Sequence, residues 1–416
     1  MIETFSVQNF RSIKHEQTMS FVANNKIHTG AEKYLLNKVS DTVSLLKFCV
    51  LYGYNASGKT NLLLALDYLR TLVVKGKGVA NKGTDFVPFV FDEEFNHAPG
   101  TFTLVFYINK IRYTYRVTVN TERILFEELS FQPLGRKALL FIRTFDEAKH
   151  ISTFEFGTRC DLTAKDRTIL HGNTVDNITT LFAYQISNIH SEAIEIVVEY
   201  FKNTLMPIIT PAISLNRWTK ERVAEDPSTL MFYGDLVQRA DFRIQDVELL
   251  LNTGYMDRGK SEGQKDSEIS DILFYHETSN GVHRIQFDEE SRGTLRYVGL
   301  GGVVHELIRN RGIVPIDELE ASLHPDLVAF LIQMFLMNTI ESQIIATAQN
   351  QSIMELDFMR SDMIWLCEKD EEGASQYYSV QEFGLHKKIN IANAYRAGKL
   401  GAKPYLGSTV MGKVTQ

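Results

Sequence analysis

GYNASGKT, Gly53–Thr60, is the stretch on which the reading of this chain turns. It fits the GxxxxGK[ST] phosphate-loop pattern, and it lies between an apolar run, LLKFCVLYG at 45–53, and a helix-spaced one, NLLLALDYLRTL at 61–72. Gly53 and Gly58 permit backbone shapes closed to residues with a Cβ. The N–H groups around Asn55, Ala56 and Ser57 can therefore turn inward at phosphate oxygens. Lys59 brings a fixed positive charge toward the outer phosphates, and the Thr60 hydroxyl is placed to ligate Mg²⁺. The positive end of the following helix acts on the same anion. In that helix Leu62, Leu63, Leu66, Leu69 and Leu72 share one side, with Asp67 and Arg70 off it. The expected cofactors are ATP and Mg²⁺.

A second stretch, GIVPIDELEASLHP at Gly312–Pro325, complements the first. An apolar strand ends in Asp317-Glu318, and parallel strands present their C-terminal ends to the ligand crevice. Asp317 is expected to hold Mg²⁺ through its outer sphere or a water, and Glu318 to polarise the attacking water as general base. Two surface acids at a strand end would be the bland account. The phosphate loop upstream favours the nucleotide account.

Between and around these motifs the periodicity changes several times. IETFSVQNF and TMSFVAN read as half-buried strands, and TFTLVFYINKIRYTYRVTV at 101–119 as a hairpin turning near Asn109 and Lys110 and continued by ILFEELSF. From about 160 to 240 the pattern is mostly helical, broken by MPIITPAI at 206–213. The stretches KGKGVANKG at 75–83 and MDRGKSEGQKDSEISD at 256–271 read as polar loops. Then come strand-like ILFYHET and VHRIQF, a helix at 294–309, the strand GIVPI, a helix at 326–338, and the strands QIIAT and MIWLC. This alternation is that of an α/β unit with parallel strands.

Composition bounds the classes. The 416 residues carry 44 Lys+Arg, 51 Asp+Glu and 44% apolar residues, which fits a globular chain and excludes wholesale disorder or a fibrous repeat. The longest apolar stretch, at 327–337, is far below the roughly 20 residues that span a bilayer, so no membrane role is expected. No basic segment followed by an apolar one opens the chain, and Cys49, Cys160 and Cys367 form no CxxC pair. A cytoplasmic protein is expected. The net charge of -7 conceals a tail, Phe383–Gln416, with six positive charges and no acid, on a body at -13. Such a tail could meet nucleic acid, an acidic partner or the body itself. No HExxH or Gly-x-Ser-x-Gly pattern occurs.

The text DE followed by SLHP, preceded by ESRGT at Glu290–Thr294, resembles the ABC-type ATPase heads of the SMC and RecF group. The opening VQNFRSIKH resembles their first strand. The resemblance implies an α/β fold: an ABC-type P-loop ATPase head whose mixed β-sheet is flanked by helices. A β-rich lobe and a short helical arm would be inserted between Walker A and signature. Residues 1–83 and 271–416 would form the head, and 84–270 the insertion. It further implies that Ser291 and Gly293 form the signature contacting ATP on the opposite subunit of a dimer. Ser322 and His324 would form the D-loop, and Arg11 would reach phosphate. Without the resemblance, SRGT is an acceptable helix cap, Arg11 an exposed strand-end arginine, and His324 beside Pro325 a cap for the next helix. Where these heads carry a histidine the chain reads ATAQNQS, which places Gln349 in the catalytic position. Glutamine donates and accepts hydrogen bonds but cannot become cationic, so turnover is expected to be slow.

Further text, MIWLCEKDEEGASQYYSV and AYRAGKLGAKPYL, resembles the ATPase component of RloA, AbiL and PARIS-type anti-phage defence systems. That resemblance implies a homo-dimer or higher homo-oligomer, a separate nuclease-like effector protein, and a nucleic-acid or phage-encoded trigger. Two alternatives stay open. One is a RecF-like DNA-binding repair ATPase using the basic tail. The other is a self-sufficient nuclease of the overcoming-lysogenisation-defect kind, which needs a carboxylate cluster. Glu368–Gly373 is the sole acidic cluster after Glu318, and it reads more naturally as a turn between two strands.

Overall fold

In the computed structural model, which describes residues 1–76, 83–133, 135–240, 243–251, 269–385 and 389–404, strand Phe48–Tyr52 is buried along its whole length. It sits in the middle of a five-stranded sheet. Strands Ile313–Ile316, Gln343–Thr347, Phe48–Tyr52 and Ile364–Lys369 run parallel in that order, and Ser375–Ser379 closes the edge antiparallel. Parallel strands need cover on both faces, which is why these read as near-continuous apolar runs.

The segment 206–213 does more than interrupt helices. Leu205 and Ile209 bridge to Ile313 and Ile316 in parallel, and the Asp317 N–H donates to the Ile209 carbonyl at 2.8 Å. An irregular strand thus supports the end of Ile313–Ile316.

A seven-stranded antiparallel sheet belongs to the same compact unit. Its order is Ile151–Phe156, Ala138–Asp146, Ile124–Gln132, Ile111–Val119, Gly100–Ile108, Ile2–Gln8 and Gln17–Ser20. The hairpin turns at Asn109 and Lys110, both at positive φ (48° and 65°), as a two-residue hairpin of matching twist requires. Buried Gln343 links the two sheets. Its Oε1 accepts from the Ile2 N–H at 2.6 Å, and its Nε2 donates to the carbonyls of Ile2 and Leu46 at 3.0 and 3.1 Å. Helix Lys59–Val74 buries the expected leucines. Asp67, half-buried, and Arg70, buried, are engaged on another side. Asp67 accepts from the Ile208 N–H at 3.0 Å, and the buried Arg70 donates through Nε to the Leu205 carbonyl at 2.5 Å. Their side of the helix is held by the 205–208 segment, a contact no helical period reveals.

That unit comprises the described residues of Met1–Ile209, Gly312–Asp317 and Glu341–Gln416. A second unit comprises those of Thr210–Arg311 and Glu318–Ile340. It contains helices Asn216–Glu225, Thr229–Gln238, Arg292–Arg309 and Pro325–Asn338. Its three-stranded antiparallel sheet is ordered Ile244–Leu251, Ile269–Thr278, Gly281–Gln286. Along Arg292–Arg309, Gly301 and Gly302 let Leu236 and Tyr233 press against bare backbone, where a Cβ would stand 2.1 and 2.3 Å from side-chain atoms.

Strands Ala138–Asp146, Ile151–Phe156 and Ile244–Leu251 are additions to the sequence reading. Among the described residues no helix is long and apolar enough to cross a membrane. Most of the polar stretch 256–271, most of the loop 75–83, and Lys387, Lys388 and Lys413 of the basic tail lie outside the described residues.

Candidate nucleotide site

The phosphate loop joins the central strand to helix Lys59–Val74. Gly58 caps that helix at φ 111°, ψ 8°, a conformation that L side chains rarely adopt, and Ala56 takes φ 65°. Asn55 and Ala56 are exposed, whereas Ser57 and Lys59 are buried. Lys59 Nζ donates to the carbonyls of Gly53 at 2.9 Å and Tyr54 at 3.2 Å, closing the loop around the ammonium. Gly53 is fixed by a close approach, since a Cβ there would stand 2.3 Å from the Cys367 carbonyl.

Parallel register then brings the acid to the loop. Ile316 pairs with Ala346, so Asp317 and Thr347 emerge side by side at the sheet's C-terminal end. Thr60 Oγ1 donates to Asp317 Oδ1 and Oδ2 at 3.0 and 3.1 Å, and Thr347 Oγ1 donates to Oδ1 at 2.6 Å. Asp317 and Thr347 are both buried. Thr347 was not singled out by the sequence, although its place at the end of QIIAT, in register with Asp317, is the signal that would have found it. Thr347→Val is expected to raise about fivefold the Mg²⁺ concentration for half-maximal ATPase activity, from loss of one hydrogen bond of about 1 kcal/mol. A magnesium titration checks this.

A family model described as "AAA domain, putative AbiEii toxin, Type IV TA system" matches residues 48–355, a span that begins at the strand before the loop and ends beyond Thr347. The chain belongs to this family. It is an AAA-type P-loop ATPase domain, a class that binds nucleotide, typically with Mg²⁺. No curated protein matches the chain. Among solved structures, an SMC head domain from Thermotoga maritima is 14% identical, with TM-score 0.43, over 91% of this chain and 98% of that one. An Smc head domain with an extended coiled coil bound to the C-terminal domain of ScpA, derived from Pyrococcus furiosus, is 12% identical, with TM-score 0.46, over 96% and 98%.

The groups in this AAA domain fit the cofactors its family implies. The cradle of backbone amides at Gly58 and Lys59 suits phosphate, and the buried Ser57 hydroxyl has no hydrogen-bond partner among the described residues. Thr60 and Asp317 offer hard oxygens of the kind Mg²⁺ takes. Phosphate would be held by the loop and Lys59, and the ion by Thr60 and Asp317.

Arg11 lies exposed at the tip of a tight turn after strand Ile2–Gln8, at φ 53°, with its N–H donating to the Val87 carbonyl at 2.8 Å. The tie to the loop runs through its neighbour, because Asn61 Nδ2 donates to Ser12 Oγ at 2.6 Å. Gln349 is exposed, two residues past Thr347.

In the second unit Glu318 is half-buried at φ 47°, an uncommon backbone conformation for glutamate. Ser291 caps helix Arg292–Arg309, its Oγ accepting from the Thr294 N–H at 3.1 Å. A Cβ on Gly293 would stand 3.1 Å from the Ser322 carbonyl, so the turn at Ser291–Gly293 and the segment after Glu318 meet within that unit. His324 caps Pro325–Asn338, its Nδ1 accepting from the Asp326 N–H at 3.3 Å.

Of the acidic cluster Glu368–Gly373, Glu368 and Lys369 end strand Ile364–Lys369, and Asp370–Gly373 form the turn to strand Ser375–Ser379. Asp370 Oδ1 accepts from the Glu372 and Ala374 N–H groups, and Glu372 pairs with Lys14 at 2.6 Å. The described part of the basic tail folds on its own body. Arg396 pairs with Glu355, Lys403 donates to the Arg396 carbonyl at 2.6 Å, and Tyr395 donates to the Ala402 carbonyl at 3.0 Å.

Proposed function

We propose that this AAA domain is a cytoplasmic ABC-type ATPase head that binds and hydrolyses ATP, dimerises around it, and regulates or scaffolds a separate nuclease-like effector in bacterial anti-phage defence. The observation that carries the reading is the convergence of Thr60 and Asp317 beside a loop closed on Lys59. The family's description as a "putative AbiEii toxin, Type IV TA system" supports the defence setting.

When bound, ATP supplies the bond to be cleaved, and Mg²⁺ offsets the charge on its phosphates. Lys59 and the loop amides bind and orient the phosphates. Thr60 and Asp317, steadied by Thr347, hold the ion. Glu318 follows Asp317 directly in the chain, and its carboxylate takes the proton from the attacking water. Gln349 orients that water without adding positive charge, which keeps turnover slow. Ser291 and Gly293, at a helix N-terminus, would meet the anion bound by a second copy, with Ser322 and His324 along the same interface.

Glu318→Gln is expected to keep ATP binding, lower hydrolysis by at least about a hundredfold, and accumulate dimers or larger assemblies on sizing with ATP. Lys59→Ala is expected to bind no ATP and stay unassembled. Hydrolysis by both variants at the wild-type rate would refute the site assignment. Co-purification of the Glu318→Gln assembly with a nuclease-like protein from the source cells tests the effector role; failure to retain one, with ATP or without, counts against it.

A further inference from the structure

The phosphate loop is gripped from behind by the hairpin Ile364–Lys369/Ser375–Ser379. Ser375 Oγ donates to the Ser57 carbonyl at 2.6 Å, Cys367 Sγ donates to the same oxygen at 3.3 Å, and Tyr377 OH donates to the Gly58 carbonyl at 2.8 Å. Burial pushes the Tyr377 phenol well up and the Cys367 thiol up to about 12, so both remain protonated donors at neutral pH. Ser12 and Ser375 hydroxyls lie 2.7 Å apart, and Asn61 Nδ2 donates to Ser12 Oγ. Each hydroxyl has one proton, and that of Ser375 goes to Ser57. The order is therefore fixed: Asn61 donates to Ser12, Ser12 to Ser375, Ser375 to the loop.

Peptide planarity gives these bonds a consequence at the site. In a trans peptide the C=O of one residue and the N–H of the next point in opposite directions. Holding the Ser57 carbonyl outward aims the Gly58 N–H inward, and holding the Gly58 carbonyl outward aims the Lys59 N–H inward. These amides belong to the cradle that would face phosphate. The hairpin's other face is held by the chain's C-terminal part. Side chains alternate along a strand. Glu368, beside Cys367, accepts from the Ala402 N–H at 2.8 Å; Tyr378, beside Tyr377, donates to the Leu400 carbonyl at 3.1 Å.

We propose that Ser375 and Tyr377 are positioning residues that preset the phosphate-loop amides for ATP, and that the hairpin carrying them couples ATP binding to the order of residues 389–404. This rests on the ATP-binding reading above and adds to it a link between the nucleotide and the C-terminal segment. Coupling of this kind is reciprocal: what ATP does to the segment, the segment does to ATP affinity.

The test uses the full chain with Mg²⁺-ATP. Tyr377→Phe and Ser375→Ala are each expected to raise the ATP Kd five- to tenfold at a temperature well below melting. ATP is expected to slow hydrogen exchange at residues 389–404 in the wild type and to do so much less in Tyr377→Phe. A role in folding alone would lower the melting temperature and leave the Kd within twofold of wild type, and that result overturns the proposal. Exchange at 389–404 that ignores ATP in the wild type overturns the coupling. Should Tyr377→Phe fail to fold, Ser375→Ala carries the affinity test and the exchange comparison. If the wild type itself binds no ATP, the underlying reading fails rather than the brace.

Discussion

Gly58→Ala is expected to weaken ATP binding by at least about a hundredfold, equivalent to about 2.7 kcal/mol. Two independent costs fall on that one methyl. The backbone sits at φ 111°, ψ 8°, and forcing a residue with a Cβ into such a region costs on the order of 1–3 kcal/mol. The added Cβ would also stand 2.0 Å from Ser375 Oγ, 2.9 Å from Ser375 Cβ and 2.8 Å from Ser12 Oγ. None of these atoms is the free end of a long side chain, and each belongs to the hydrogen-bonded file that holds the loop. The loop must therefore shift, and its amides with it. Isothermal titration with Mg²⁺-ATP measures the loss. A double variant, Gly58→Ala with Ser375→Gly, separates the two causes. It removes the clash with Ser375 and keeps the strain and the approach to Ser12 Oγ. Measured against Ser375→Gly alone, which already lacks that positioning hydroxyl, a Gly58→Ala effect reduced more than tenfold would assign the larger share to Ser375, and an undiminished effect would assign it to φ.

The same glycine shows what could be read in the sequence and what could not. Phosphate-loop chemistry demands contiguous residue types, so Gly53–Thr60 announces itself in eight letters. The leucine face of helix Lys59–Val74, the turn at Asn109 and Lys110, and the strand QIIAT were legible for the same local reason. Thr347, Ser375 and Tyr377 were not. They reach the site through strand register across long separations, 363 residues in the case of Ser12 and Ser375. A hydroxyl in a strand carries no mark of where it will land. Asp67 and Arg70 could be read only as lying off the apolar side, because a helical period reports which side is apolar, not what covers the other side. Strands Ala138–Asp146 and Ile151–Phe156 escaped because the turn between them has no Gly, Pro or Asn, and His150 takes the positive φ instead. The tail's positive charges pointed to several partners. For Arg396 the ion-pairing partner is Glu355 of the same unit.

Glu127→Ala is expected to cost about 3–5 kcal/mol of stability and to lower the melting temperature by on the order of 5–10 °C. Glu127 and Arg143 are fully buried in the antiparallel sheet, with the Arg143 Nη1 atom 3.9 Å from Glu127 Oε2. Both carboxylate oxygens are engaged: Oε1 accepts from Tyr115 OH at 2.8 Å, and Oε2 accepts from the Thr180 N–H and hydroxyl at 2.7 Å each. Arg143 in turn donates to Ser152 Oγ and to the carbonyls of Ile178 and Val175. Burial pulls the guanidinium down from its usual range, and Glu127 opposes that shift. Removing the acid strands a buried cation, whose desolvation is no longer offset, and leaves Tyr115 and Thr180 without their acceptor. Arg143→Met added to Glu127→Ala removes the stranded charge, so the double variant is expected to regain part of the loss, a coupling that a double-mutant cycle in urea would read directly. The effect should reach the nucleotide site weakly. Thr179, next to Thr180, donates to the Leu72 carbonyl at 3.1 Å, and Gln185 donates to that of Val73 at 2.7 Å, both at the far end of the helix that begins at Lys59. An intact helix start with a loosened end predicts an ATP affinity within about threefold of wild type, because one or two hydrogen bonds of about 1 kcal/mol each are lost a full helix length from the loop. Loss of ATP binding in a Glu127→Ala protein that is still folded would show instead that the antiparallel sheet sets the loop's geometry through that helix.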